Sequence, residues 1–318
     1  SGRAEDYSDF GSTADGKISF RYQTTPTLAL RGAASTGFHA PTPGLSYYTR
    51  TNQGLLPGTS TLFTSGQISV TNPVAVFFGA RALKPEESDN LSLGVVFAPR
   101  PGFTVAVDLY RVAVRDRLGL SQGFTLTAAQ RAQLVASGVT DAQNLNSLNF
   151  LTNAFDTRTE GVDVVASQRW TRSKQENITL TAAYNYNATR VTRYDPRVVS
   201  RDGRINLENR IPQNAGNVAV NYALGSLGLM GRVRYFGEWT DAQANSTIVQ
   251  DFSRQVLCDV AVSWKFTREV SATAGVENVF NRYPDKATFN AANGLLYSRN
   301  APYDADGGRW YLRVNASF

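Results

Sequence analysis

Trp310-Tyr311-Leu312-Arg313-Val314-Asn315-Ala316-Ser317-Phe318 ends the chain. Trp310, Leu312, Val314, Ala316 and Phe318 alternate strictly with Tyr311, Arg313, Asn315 and Ser317. Two is the strand period, so one face is greasy and the other wet. In water such a terminal strand invites edge-to-edge aggregation. In a transmembrane barrel each face has its own solvent, lipid on one side and a polar lumen on the other.

The same alternation recurs upstream. Leu91, Leu93, Val95 and Phe97 share a face opposite Ser92 and Gly94. Phe103, Val105, Val107 and Leu109 oppose Thr104, Ala106 and Asp108. Val162, Val164, Ala166 and Trp170 repeat the pattern, with Gln168 interrupting the apolar face. Ile178 to Tyr186, Val218 to Leu224 and Val256 to Phe266 do likewise. Many of these runs reach about nine residues, the span a tilted strand needs to cross a bilayer, whereas soluble strands are more often about five or six. Short connections at 99–102, 171–176, 225–226 and 267–268 alternate with long ones at 39–87, 118–150, 191–209, 240–253 and 281–306. That asymmetry is the one expected of short periplasmic turns and long extracellular loops. Counting directions from the turn at 99–102 gives roughly twelve strands and puts the C-terminus on the periplasmic side. The fold class expected is all-β: an antiparallel transmembrane β-barrel segment.

Composition narrows the alternatives. The chain has 318 residues and a net charge of +6, with one Cys, one Met and one His. A lone Cys258 excludes an internal disulfide framework and a Cys-built zinc cage. The basic residues are scattered along strands and loops, with no dense run of the kind that grips nucleic acid, so no nucleic-acid partner is expected. No stretch approaches the roughly 18 apolar residues of a membrane helix. Ser1 to Tyr7 lacks the apolar core of a signal peptide, so the export signal of such a protein is expected to have been removed or to lie upstream.

Few motifs carry chemistry. There is no phosphate-binding glycine loop, nucleophile elbow or metalloprotease helix, and no enzymatic activity or cofactor is expected. His39, in Gly37-Phe38-His39-Ala40-Pro41, lacks a sequence-adjacent nucleophile and is read as structural. Asp304-Ala305-Asp306-Gly307-Gly308 reads as a turn feeding the last strand. Thr127-Ala128-Ala129-Gln130 matches a capping box, with Gly138 as the stop, predicting one helix inside a long loop. Trp264, Trp310 and Phe318 fit an interfacial girdle. Tyr47, Tyr48 and Arg50, in the first long connection, are the candidate ligand contacts.

Several segments resemble the C-terminal barrel of TonB-dependent outer-membrane receptors. Glu5 to Gly11 and Lys17 to Tyr22 are similar to paired mid-barrel strands of that family. Leu30 to Pro41 resembles its LRxSxSxGFRAP segment, with His39 in place of the usual Arg. Thr159 to Asp163 resembles a strand start, and Glu277 to Pro284 the penultimate xNLFDxxY strand. Trp310, Leu312, Val314, Ala316 and the closing Phe318 match the family's assembly signal. The resemblance covers nearly the whole chain. It implies roughly twelve strands of a barrel of about 22, with residues 1–318 as its C-terminal portion and the N-terminal plug and early strands absent. The function it implies is energy-dependent uptake of a scarce, bulky nutrient such as a ferric siderophore, cobalamin or a glycan. The partners it implies are outer-membrane lipid and lipopolysaccharide, the TonB complex through the plug, the barrel-assembly machinery, and a metal-chelate or other small-molecule ligand. The location is the bacterial outer membrane. The alternative is a complete twelve-stranded channel or outer-membrane hydrolase, which would require the strand at 2–10 to pair with 307–318. Arg31, Arg234 and Arg313, if lumenal, would suit an anionic ligand or the plug surface.

Overall fold

The computed structural model describes residues 1–7, 11–55, 60–243, 248–289 and 294–317. Phe318, the last residue of the assembly motif, and residues 8–10 of the first strand expected lie outside the described residues. In chain order, β1 (Gly2–Tyr7), β2 (Gly11–Thr25) and β3 (Leu28–His39) lead to helix α1 (Pro43–Tyr47), the hairpin β4 (Arg50–Leu55) and β5 (Leu62–Gln67), and helix α2 (Pro73–Phe77). Next come β6 (Glu86–Arg100), β7 (Phe103–Leu120), β8 (Phe124–Thr125), α3 (Ala128–Ala136) and β9 (Ser147–Asn149). The long strands β10 (Leu151–Thr171) and β11 (Glu176–Tyr194) precede α4 (Arg201–Asn209), β12 (Asn214–Leu224) and β13 (Leu227–Phe236). The chain continues through β14 (Trp239–Ala242), β15 (Val249–Phe252), β16 (Gln255–Lys265), β17 (Val270–Glu277) and β18 (Arg309–Ala316).

Twelve of these strands form one antiparallel meander, in the order β1-β2-β3-β6-β7-β10-β11-β12-β13-β16-β17-β18. The strand number and alternation of connections match the sequence expectation. Tight turns at 26–27, 101–102, 172–175, 225–226 and 266–269 lie at one end, and the long connections 40–85, 121–150, 195–213, 237–254 and 278–308 at the other. β1 and β18 occupy opposite edges, and among the described residues they do not pair with each other. Among the described residues, no helix is long and apolar enough to cross a membrane.

Register fixes the two faces. Leu30, Val95, Val107, Val164 and Tyr184 stand in one row across five strands. One residue along, Arg31, Gly94, Asp108, Asp163 and Asn185 form the adjacent row on the opposite, polar face. The apolar face continues to the last strand, where Trp310, Leu312 and Val314 are 80%, 69% and 64% exposed. Such a surface is stable only against lipid. Arg31, Arg234 and Arg313 all fall on the polar face. Arg31 binds Asp108 across Gly94, where any Cβ would collide with the Asp108 carboxylate. Arg232 and Arg234 both donate to the buried Asp259, at 2.8 Å, and Asn278 N–H donates to the same carboxylate at 2.9 Å. Two of the three arginines therefore already have wall carboxylates as partners.

Local sequence explains several irregular points. Gln168 does not leave an unpaired amide on the apolar face: its Oε1 accepts from Arg100 at 2.9 Å and its Nε2 donates to Arg169 O at 2.8 Å. Tyr110 lies over Gly161, and its hydroxyl accepts from Asn187 at 2.8 Å. The segment Glu277 to Pro284 differs from expectation, because β17 stops at Glu277. Asn278 and Asn281 adopt φ of 51° and 53°, a conformation Asn tolerates better than most residues. The Asn278 side chain then clamps Arg282, accepting from its N–H at 2.9 Å and donating to its carbonyl at 2.7 Å. The motif is an exit turn rather than a strand.

Candidate functional site

The strands β7, β10 and β11 run for 18, 21 and 19 residues. A tilted membrane strand needs only about 9–11. The apolar band on β10 runs from Val162 to Trp170, so the overhang lies on the long-loop side and carries the connections beyond the bilayer.

Two of those connections fold together. β5 and β9 pair in parallel, with Ser65 opposite Ser147, and the sheet order is β4-β5-β9-β8. Asn146 accepts from Thr64 N–H through Oδ1 at 2.8 Å and returns its own N–H to Thr64 O at 2.8 Å. Beneath the sheet, Ile68, Val74, Leu126, Leu134, Leu148 and Phe150 belong to one buried cluster. Phe78, Phe124 and Phe150 stack in series, with centroids 5.0 and 5.6 Å apart. Helices α2 and α3 are each set by a local cap. Asn72 Oδ1 accepts from Val74 N–H at 2.9 Å ahead of Pro73, and Thr127 and Gln130 form the expected capping box before α3. Gly138 follows that helix at φ 88°. The long connections are thus a packed module, where the sequence reading had seen loops with one helix.

A cleft of about 580 Å³ opens between this module and the start of the 195–213 connection. Its lining includes Phe77 and Phe78 from α2 and its C-cap, Arg81, Arg193 at the end of β11, and Arg197. Gln122 N–H donates to Val198 O at 2.7 Å and its side-chain amide to Arg197 O at 2.8 Å, holding the opposing wall. Arg193 is anchored to Asp156 at 2.6 Å and to Asp116 at 2.9 Å. Arg197 pairs with Asp195 at 2.8 Å. The hydrogen bond from the Arg197 side chain, then that from its backbone N–H, holds the Asp195 carboxyl down to about 2. Arg81 has no carboxylate within ion-pair distance among the described residues. Its charge acts through space on the Asp195 carboxyl, and with Arg193, Arg197, Phe77 and Phe78 on the same lining it gives the cleft the chemistry for an anionic ligand with flat or apolar parts.

The remaining long connections are joined by a buried carboxylate. Asp241 on β14 accepts from Arg210 at 3.0 Å, Ser298 at 2.8 Å and Asn300 at 2.9 Å. These donors come from the 195–213 and 278–308 connections.

The sequence-derived candidates lie elsewhere. Tyr47 ends α1, Tyr48 caps it and Arg50 opens β4; all three are exposed and none lines the cleft. His39 ends β3 on the polar face, its Nδ1 3.2 Å from Glu86 Oε2. Asp304 to Gly308 is a turn into β18, with Gly307 at φ 75°. The cleft residues Phe77, Phe78, Arg81, Arg193 and Arg197 were missed. Asn72-Pro73 is a readable helix start, but nothing local in sequence brings Arg81 beside Arg193.

Comparison with known proteins agrees with this architecture. Residues 1–279 match the family model described as TonB dependent receptor-like, beta-barrel. No curated protein matches the chain in sequence. Among solved structures, a variant of the ferric enterobactin receptor PfeA of Pseudomonas aeruginosa is similar over 98% of this chain and 41% of its own, with 15% identity and a TM-score of 0.63. The siderophore receptor PirA of Acinetobacter baumannii is similar over 100% and 43%, with 15% identity and a TM-score of 0.63. The copper transporter OprC is similar over 96% and 40%, with 14% identity and a TM-score of 0.60. The chain thus spans about two-fifths of the length of these proteins. Wall, register and match over most of its length agree: the chain belongs to the TonB-dependent receptor family and forms part of its β-barrel.

Proposed function

We propose that this chain is the C-terminal portion of an outer-membrane receptor that takes up a scarce, bulky nutrient by an energy-dependent route. The family is one of receptors and transporters rather than enzymes, and membership implies an outer-membrane β-barrel. The rest of a barrel of about 22 strands would complete the wall at the edges of β1 and β18. Unsatisfied backbone groups in lipid cost several kcal/mol each, which argues for that completion. The channel or hydrolase alternative needs β1 against β18, and the observed sheet order runs counter to it. In this reading the C-terminus is periplasmic, Trp310 to Phe318 is read by the assembly machinery, and a plug upstream meets TonB.

The observation that carries the ligand reading is the arginine and phenylalanine cleft between the long loops. Its charge favours an anionic chelate over a neutral glycan, which places iron or another metal complexed by an organic acid among the first ligands to try. Tyr47, Tyr48 and Arg50 are the proposed outer contacts on the same module. The test is growth of a receptor-deletion strain, complemented with this gene, on a panel of ferric siderophores, cobalamin and glycans. The expected result is TonB-dependent rescue on an anionic chelate, lost in Arg81→Ala. Rescue confined to a neutral glycan, or rescue without TonB, would overturn the reading.

A further inference from the structure

The module on the long-loop side ends in an uncovered strand. Its sheet order is β4-β5-β9-β8, so β4 lies at one edge. Thr64 turns both its N–H and its carbonyl to Asn146, on the side of β9. Backbone groups alternate sides along a strand. Phe63, Ser65 and Gln67 therefore face β4, and their partners there are Gly54, Asn52 and Arg50. The residues between, Thr51, Gln53 and Leu55, direct their N–H and C=O groups to the outer edge. No strand among the described residues pairs with that edge, and all six residues of β4 are exposed.

Natural edge strands are shielded by Lys, Pro, inward-pointing charges or bulges. Arg50-Thr51-Asn52-Gln53-Gly54-Leu55 contains no Lys, Pro, Asp or Glu, and its register with β5 is unbroken. An edge left this regular is a template for one more strand. Charge selects the occupant. The connection from 40 to 85 carries Arg50, Arg81 and Lys84 and no Asp or Glu. A second copy of β4 would bring the same cations and be repelled, whereas an acidic chain is drawn in. Tyr47 and Tyr48, 70% and 45% exposed, precede Arg50 and offer ring surface to incoming side chains.

We propose that β4 docks an extended, acidic segment of another polypeptide at the cell surface as an added strand. Main-chain bonds to Thr51, Gln53 and Leu55 supply affinity, and Arg50 supplies the preference for carboxylates. The inference needs the long connections to face outward. It does not need the nutrient cleft, which no residue of β4 lines.

The test uses the full-length receptor in neutral detergent and fluorescence anisotropy with an eight-residue peptide of alternating Glu and Val. Comparison peptides carry Lys in place of Glu, or N-methyl groups on the backbone nitrogens of the acidic sequence. The acidic peptide should bind, and neither comparison peptide should match it. Gln53→Pro removes an outward N–H while sparing the bonds of Asn52 and Gly54 to β5. It should weaken the acidic peptide about tenfold, with nutrient uptake as in wild type. Arg50→Glu should weaken the acidic peptide and strengthen the Lys one. Hydrogen exchange in the free receptor should be fast at Thr51, Gln53 and Leu55 and slow at Asn52 and Gly54. Unchanged protection at Asn52 and Gly54 in Gln53→Pro identifies an intact hairpin. Protection of the outer amides in the free receptor means that the receptor itself or a second copy covers the edge, and overturns the proposal. So does no binding of the acidic peptide, equal binding of its methylated or Lys form, or equal binding by Gln53→Pro.

Discussion

Replacing Phe150 by Ala tests whether two distant connections share a core. Phe150 is fully buried, its ring 5.6 Å from Phe124 and nearly parallel to it, and Phe124 continues the stack to Phe78. Truncating a core Phe to Ala costs roughly 3–5 kcal/mol, the larger values belonging to sites that cannot collapse. Phe150 is held between β9 and β10, and its N–H is bound to Ser121 Oγ at 3.0 Å, so the backbone cannot close the void. We take about 4 kcal/mol. A small packed unit opens with a free energy of roughly 5–15 kcal/mol at most. A loss of this size raises the open population on the order of a thousandfold. Hydrogen exchange by mass spectrometry on the full-length receptor in detergent reads it directly. Peptides from 62–80 and from 124–150 should lose protection together, while those of β12, β13 and β16 stay unchanged. Phe150→Leu should recover most of the protection. If protection falls only around residue 150 and the 62–80 segment is unaffected, the shared core is refuted.

Three further perturbations follow the same reasoning. A Cβ at Gly161 would meet Tyr110 at 2.3 Å and Tyr186 O at 2.6 Å, so Gly161→Ala should destabilise by about 1–3 kcal/mol, seen as a lower melting temperature of the barrel in detergent. Asp241→Ala leaves Arg210, Ser298 and Asn300 without their common acceptor. Because Arg210 is partly open to water, the loss should be about 2 kcal/mol, with limited proteolysis appearing together in the 195–213 and 278–308 connections. The Asp195 carboxyl, held at about 2 by Arg197 against an ordinary value of 3.8, contributes stability that is fully present above the ordinary value. That contribution is lost as pH falls toward 2. Exchange at Val198 and Val199, whose N–H groups bond to Asp195 O, should therefore be independent of the Asp195–Arg197 pair's protonation from pH 8 to 5. An excess rate that Asp195→Asn abolishes should emerge only in acid below about pH 4.

The wall was legible because its signal is local. A strand between two solvents must alternate, as Val256, Cys258, Val260, Val262 and Trp264 do against Asp259, Ser263 and Lys265, and register places these two sets on opposite faces. The turns were legible for the same reason, since a tight connection must be short wherever the next strand pairs at once. What was illegible is non-local. The parallel contact of Ser65 with Ser147 joins segments about eighty residues apart, and neither β5 nor β9 is long enough to announce itself by periodicity. Arg81 and Arg193 face one cleft only because that module packs over the overhang of β10 and β11. Asn278 and Asn281 misled in a different way: their φ values turn what reads as the end of a strand into a turn.

The overhanging strands also decide which parts of the cleft can move. Arg193 sits on β11, whose pairing with β10 continues to Phe155 opposite Tyr194. Asp116 and Asp156, its anchors, lie on the neighbouring strands β7 and β10. This part of the cleft is therefore as rigid as the barrel. Phe77, Phe78 and Arg81 instead belong to the module, which meets the strands through the packing of Leu151 and Val198 on its core and through polar contacts such as Asn153 with Lys84, at 2.8 Å in both directions. A ligand bridging Arg81 and Arg193 would thus tie the module to the strands, and binding energy could be converted into a change in the module's position without disturbing its core. Asn153→Ala removes both Lys84 contacts and the bond to Asp116 O at 2.7 Å while leaving the Phe78–Phe124–Phe150 stack intact, and because Asn153 also lines the cleft, the exchange readout decides the division. Weaker ligand binding with unchanged exchange protection inside the module is the expected result, and loss of protection throughout the module would show that tether and core are one unit.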